Sequence, residues 1–257
     1  MKHINKEKKI RAALSAFALC VRLTLIRTLA VLGVALLAEM ALFAWTYVRH
    51  PGSGVEGLFG EAHLQIPVAM SLVVALDVCQ RALNNGKSRV AYTTGRLGVS
   101  EDGLWVLHAA AASLCLLLVW CAQAAFLLEL ARFVYARADA SLVTPQSLYL
   151  SVMHNELLHN LLPLDEGIRY VRNAVWCLTG GICAALYAAL QRCGKKSIAV
   201  YCCFIRLGAL VAVLPGYGGD ELAIAASALL CAGVIARFYI DREDPDVPEE
   251  ESADENS

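Results

Sequence analysis

About six separated apolar stretches, each long enough to cross a bilayer, constrain this chain more than any motif in it. They fall near 28–48, 64–84, 104–131, 171–190, 197–215 and 221–239. A spanning helix needs about 20 mostly apolar residues at ~1.5 Å rise each. The chain is 58% hydrophobic and 18% charged, with mean hydropathy +0.55, so it lacks the polar surface that a soluble domain of 257 residues requires. Lipid offers no partners to open strand edges, so the spans are expected to be helical. No stretch alternates with period two, which argues against a β-barrel.

The predicted fold is therefore all-α: a polytopic membrane bundle of about six helices, with one interfacial helix at the N-terminus and another on the outer side. Residues 1–27 form a cytoplasmic basic amphipathic segment and 28–240 the six-span domain. Within it, 85–103 is the cytoplasmic 2–3 loop and 132–170 the external 3–4 loop. Residues 241–257 make an acidic, disordered cytoplasmic tail.

A net charge of −1 conceals a strong asymmetry. Lys2, Lys6, Lys8, Lys9 and Arg11 make the N-terminus basic, whereas the segment after Tyr239 is acidic. The basic lead is long and the first apolar run is of full spanning length, without a clean small-residue cleavage site, so a removed signal is not expected. The 2–3 connection carries Arg81, Lys87, Arg89 and Arg96, and the 4–5 connection Arg192, Lys195 and Lys196. Positive charge retained inside puts both termini in the cytoplasm. The 3–4 connection is the exception, because Arg132, Arg137, Arg169 and Arg172 fall outside, diluted by Asp139, Glu156, Asp165 and Glu166.

Before span 1, Ile10, Leu14, Phe17, Val21 and Leu25 recur at helical spacing among Lys8, Lys9, Arg11 and Arg22, a pattern expected to lie on the inner leaflet. Ser100 is a good N-cap for span 3, with Glu101 and Asp102 suited to its first turn. In the 3–4 connection, Thr144 caps, Pro145 fits the first helical position, and a helix can run to Leu162 before Pro163.

Few residues point to chemistry. Gly86-Lys87-Ser88 resembles the end of a phosphate-binding loop, but Arg81 stands where a glycine is needed and a membrane helix precedes it. His154 and His159 flank Glu156, yet they are five residues apart and point about 140° apart around a helix, so they do not share a metal. Most of the ten cysteines lie inside apolar runs without CxxC spacing and read as small apolar residues. No catalytic, cofactor-binding or metal-binding residue is predicted.

Charges within the spans are costlier. Insertion scales put a charge at mid-span at ~2.5–3.5 kcal/mol. Glu39, Asp77 and Arg206 fall at similar depth in spans 1, 2 and 5, which predicts an intramembrane polar cluster, either a structural lock or the lining of a substrate path. Gln123 and Glu129 are expected farther out on span 3, with Glu129 paired to Arg132 at the interface. Gly181, Ala185 and Ala189 in span 4, and Ala228, Ala232 and Ala236 in span 6, make small-residue ridges for internal packing or a dimer surface.

At the level of architecture the chain resembles the membrane (permease) subunit of ABC-2-type exporters, in size, in its N-terminal interfacial helix, and in six spans with both ends cytoplasmic. The run Tyr92-Thr93-Thr94-Gly95-Arg96-Leu97-Gly98-Val99-Ser100-Glu101 sits where the coupling loop of such subunits belongs. That run, and the stretch from Asn155 to Arg172 with Leu161-Leu162-Pro163-Leu164 and Arg169-Tyr170-Val171-Arg172, are similar to bacterial membrane proteins associated with ABC transporters. The resemblance implies a subunit of the bacterial cytoplasmic membrane that has no ATPase or cofactor of its own. It would form a homo- or heterodimer in the lipid bilayer and dock a separate ABC ATP-binding subunit through Tyr92, Arg96 and Leu97. No nucleic-acid partner is implied. Two other readings stand beside it: a non-catalytic membrane scaffold or accessory protein, and an integral membrane enzyme using His154, His159, Glu156 or Glu166.

Overall fold

In a computed structural model of the chain, the structure describes residues 2–83, 99–137, 145–164, 167–192 and 220–243. All regular structure among the described residues is helical. In chain order the helices are α1 (Lys2–Arg49), α2 (Val55–Glu61), α3 (Gln65–Arg81), α4 (Glu101–Tyr135), α5 (Pro145–His154), α6 (Glu156–Leu161), α7 (Gly167–Arg192) and α8 (Asp220–Glu243). Four of them are long and apolar enough to cross a membrane: α1 from Ile10, α4, α7 and α8 from Ala223. The bent pair α2 and α3 makes up to a fifth. The predicted span at 197–215 and the acidic tail beyond Glu243 lie outside the described residues, whereas residues 241–243, expected in that tail, close α8.

The all-α bundle is thus as expected, and its outer surface shows which solvent it needs. Val34, Leu37, Val48, Met70, Leu114 and Leu229 are all exposed. Only 22% of the most apolar window of α1 is buried inside the bundle. In water, contiguous apolar surface on that scale is an association site, whereas in lipid it is the ordinary surface of a spanning helix.

The interfacial helix and span 1 merge into one helix of 48 residues, about 72 Å long. Neither glycine nor proline interrupts residues 2–32, so nothing breaks the helix there. The predicted stripe also rotates. Ile10 and Leu14 are exposed, while the buried row runs through Ala16, Cys20, Thr24 and Thr28 to Leu32, Glu39 and Phe43. Where helices share an apolar solvent, close approach selects small residues for the interface and leaves the large apolar ones to lipid.

Span 2 is shorter than its sequence suggests. Helix α3 has 17 residues, or about 25 Å against a hydrocarbon core of ~30 Å. Helix α2 meets it at 60°. The corner is the turn Ala62–Leu64, where His63 has φ +48° in the left-handed region that side chains other than glycine rarely take. Val55, Leu58 and Phe59 of α2 are buried, so the corner is held by packing. At the start of α4, Ser100 caps as expected, its Oγ accepting from the Gly103 N–H at 3.2 Å. The predicted external helix is broken into α5 and α6, because Asn155 leaves the helix to cap α6, its Oδ1 accepting from the Leu158 N–H at 3.0 Å.

The ends of the bundle follow from what packs with what. At one end Cys20, Leu83 and Leu104 cluster, and Arg192 at the foot of α7 reaches Glu101 at 3.4 Å. At the other, Phe43, Leu58, Leu127, Leu158 and Leu161 form a cap built from α1, α2, α4 and α6. Trp120 donates to the Leu161 carbonyl at 3.1 Å, and Asn173 to the Asn160 carbonyl at 2.9 Å, fastening the external helices over that end. Helix α8 begins beside Trp176 in the half of α7 nearer that capped end and ends with Phe238 against Trp105 near the start of α4, ring centroids 6.1 Å apart. Helices α7 and α8 therefore run in the same direction.

Gly181 makes the tightest contact in the bundle. A Cβ there would stand 2.1 Å from Ser113 Oγ, 2.6 Å from the Ser113 backbone nitrogen and 2.9 Å from the Ala109 carbonyl oxygen. Ala185 and Ala189 continue the buried ridge, so the span-4 ridge is internal packing. The span-6 ridge is not. Ala228, Ala232 and Ala236 face outward, and α8 instead buries Ala223, Ser227, Val234 and Phe238.

Candidate functional site

The polar side chains that cost most to bury converge at one level. Glu39 of α1 and Gln123 of α4 are both 0% exposed, and Ser71 of α3 is 2% exposed. Gln123 Nε2 donates to Ser71 Oγ at 3.1 Å, and Ser71 Oγ donates to the Val68 carbonyl at 2.7 Å. Gln123 is also the polar side chain that faces Glu39. Among the described residues, neither Glu39 oxygen, nor Gln123 Oε1, has a hydrogen-bond partner at normal hydrogen-bond geometry, although the Gln123 amide is the nearest polar group to Glu39. Ser71 is thus satisfied, while three buried oxygens from two helices are not. Unmade bonds to buried polar atoms are expensive, and more so in hydrocarbon.

Gln123 does not lie farther out than Glu39, as its place in the sequence predicts. Helix α4 has 35 residues and extends about one turn past each end of the apolar run 104–131. Gln123 stands twelve residues before its outer end, about 18 Å by helical rise. Glu39 stands ten residues before the end of α1, about 15 Å.

Apolar layers close this polar layer on both sides. Toward the capped end, one turn away on each helix, are Phe43, Val68 and Leu127. Toward the other end are Leu32, Ala75, Leu116 and Val119. The layer is therefore sealed from both aqueous faces in this conformation.

A second polar group lies closer to the inner end. Cys115 Sγ contacts Thr24 Oγ1 at 3.5 Å, and the Cys79 and Cys115 thiols interact with each other beside Thr28. His108 Nε2 is 3.0 Å from the Cys79 carbonyl. Thr24 Oγ1 bonds back along its own helix to the Cys20 carbonyl at 2.8 Å and His108 reaches the neighbouring helix, as polar residues do within membrane bundles, while Thr28 Oγ1 and His108 Nδ1 have no partner among the described residues.

Glu39 and Asp77 of the predicted cluster of Glu39, Asp77 and Arg206 do not meet. Asp77 pairs with Arg81 on its own helix at 2.9 Å, with its side chain 38% exposed. No hydrogen bond or ion pair joins it to Glu39 among the described residues. Six residues separate Asp77 from Ser71, which turns it about 240° around α3 and away from the polar layer. Arg206 lies outside the described residues, as do Tyr92, Arg96, Leu97 and the Gly86-Lys87-Ser88 run. Glu129 and Arg132 pair as expected, at 2.5 Å. His154 Nδ1 turns to the Leu150 carbonyl at 2.8 Å, and no three His, Cys, Asp or Glu side chains converge to hold a metal among the described residues. The sequence singled out Glu39 by charge; Ser71 and Gln123 carried no such signal beyond being polar within apolar runs.

The fold is that of an all-α bundle with several helices fit to cross a membrane, as in a multi-pass membrane protein. Comparison with family models, curated proteins and solved structures found no match.

Proposed function

We propose that this chain is the membrane-spanning subunit of an ABC-2-like exporter of the bacterial cytoplasmic membrane, working with ATP hydrolysed by a separate subunit. The observation that carries this reading is the sealed polar layer of Glu39, Ser71 and Gln123, contributed by three helices and closed by apolar residues on either side. Among the described residues no base matches the Glu39 carboxylate, as a structural ion pair would require. A layer that leaves buried oxygens unmatched is what a path for polar cargo requires when closed.

Charge supports the orientation. Near the capped end Arg49 stacks on Trp45, Arg132 pairs with Glu129, Arg137 stacks on Phe133, and Arg169 and Arg172 are buried. Of these, Arg169 and Arg172 are held in the bundle and Arg49, Arg132 and Arg137 lie at its surface against near neighbours in sequence, whereas Lys87, Arg89, Lys195 and Lys196 fall in the connections that follow α3 and α7. The capped end is then external and the termini cytoplasmic. The outward small-residue ridge of α8 supports dimerisation. The 2–3 connection, with Tyr92, Arg96 and Leu97, is the docking surface for the ATP-binding subunit in this reading.

The test is purification of the tagged chain from its native membrane in mild detergent under ATP-trapping conditions. A stoichiometric ATP-binding protein, lost on substituting Tyr92 and Arg96, is the expected result. Recovery of the chain without a nucleotide-binding partner would overturn the reading and favour a scaffold.

A further inference from the structure

A carboxyl is accommodated in hydrocarbon either by pairing with a base or by taking up a proton. The groups on the helices packed against Glu39 decide between the two. On α1 the nearest charges are Arg27 and Arg49, about 18 Å before it and 15 Å after it by helical rise, and both are exposed. On α3, Asp77 turns to Arg81. On α4, Glu129 and Arg132 pair with each other at the surface. On α2 and its corner, Glu61 pairs with His50, while Glu56 and His63 are exposed. His108 and the Cys79 and Cys115 thiols lie deeper, toward the inner end. Among the described residues, therefore, no base reaches Glu39, which is 0% exposed.

Hydrogen bonding points the same way. Gln123 has two amide hydrogens and one carbonyl oxygen. One hydrogen goes to Ser71 Oγ at 3.1 Å, and Glu39 is the other polar group beside the amide. What the pair lacks is a donor, because both Glu39 oxygens and Gln123 Oε1 are unmatched acceptors. A single hydrogen on the carboxyl supplies it. The acid O–H then donates to Gln123 Oε1, and the acid carbonyl accepts the second amide hydrogen. All three oxygens are matched without a counter-charge. We propose that Glu39 is an occluded intramembrane proton-binding site, a neutral acid hydrogen-bonded to the Gln123 amide while the two apolar layers are closed. Water must deliver or remove that proton, and it reaches the carboxyl only when one layer parts. Proton exchange is thereby tied to opening, as it is for buried carboxyls in pumps and transporters. The inference deepens the path reading of this layer, but the neutral acid is observable without an ATP-binding partner.

The experiment is infrared difference spectroscopy of the full purified chain in lipid at neutral pH, wild type against Glu39→Gln. The expected result is the C=O stretch of a protonated carboxyl, lost in Glu39→Gln, whose hydrogen exchanges only slowly in D2O. Gln123→Leu is the safeguard should Glu39→Gln fail to fold: it removes the partner of the acid and should move the same band to higher frequency without abolishing it. A wild-type spectrum without a protonated-carboxyl band would overturn the proposal, and so would a band that neither variant alters. A band that appears only in Arg206→Ala would assign Glu39 to a base and overturn it too. Absence of an ATP-binding partner in the purification above would leave the band in place, and an ionised Glu39 would leave that partner in place, so the two readings fail separately.

Discussion

Replacing Gly181 with alanine adds a single methyl group at the closest approach of α4 and α7. The new Cβ would meet Ser113 Oγ at 2.1 Å, the Ser113 nitrogen at 2.6 Å and the Ala109 oxygen at 2.9 Å. A serine hydroxyl can rotate away, but the other two atoms are backbone. Relief requires α7 to move off α4 by roughly 1 Å, and a gap of that size forfeits a quarter to a half of the dispersion well along the seam. The Ser113 hydrogen bond to the Leu178 carbonyl, already long at 3.4 Å, is lost too. Overpacking of this kind costs about 1–3 kcal/mol, and alanine's better helix propensity returns up to about 1 kcal/mol. The expected net loss is about 1–2 kcal/mol. It is measured as a lowered midpoint in denaturing-detergent titration. Gly33→Ala is the control, since nothing lies within 4 Å of a Cβ there, and it should be neutral or slightly stabilising. Ser113→Gly should not rescue Gly181→Ala fully, because the backbone clashes remain. Equal midpoints for the two alanine variants would refute the close-contact argument.

Three other outcomes are expected. Asn155→Ala removes the cap of α6 and should destabilise by about 0.5–2 kcal/mol; hydrogen exchange at the Leu158 amide is the readout, and unchanged protection would count against the break at Asn155. Ala232→Leu on the outward ridge of α8 should weaken self-association in detergent while leaving the unfolding midpoint unchanged, and a lowered midpoint would mean that this face packs internally. Cys121 faces lipid at mid-α4 and Cys115 is buried; maleimide reacts with the thiolate, which hydrocarbon suppresses, so both should stay unlabelled in the membrane and label once the bundle is unfolded in aqueous denaturant.

Much of the fold was legible because hydrocarbon permits few solutions. The apolar runs gave the helices, and Ser100 and Gly181 could be assigned from residue type alone. Other features depended on partners that a linear reading does not supply. Ile10 and Leu14 carried the stronger periodic signal on α1, yet the small residues beside them make the contacts. Asn155 breaks a helix that looked continuous because its amide finds a capping bond, and the 60° corner at His63 is held by burial of α2. Of the predicted polar cluster, Arg206 lies outside the described residues, and Glu39 and Asp77 do not meet. Charge flagged Glu39 and Asp77 equally, but helical phase turns Asp77 to its own Arg81.

The central claim is that the Glu39 layer is a closed segment of a transport path, and thiol access to its middle tests it most directly. Ser71→Cys would be placed in a chain whose native cysteines have been replaced, and native membrane vesicles of both orientations treated with an impermeant thiol reagent. The account predicts no labelling at rest from either side and labelling once ATP is supplied. Labelling at rest would contradict the sealed layers, and a site that stays unlabelled while ATP is hydrolysed by the assembled complex would contradict the path.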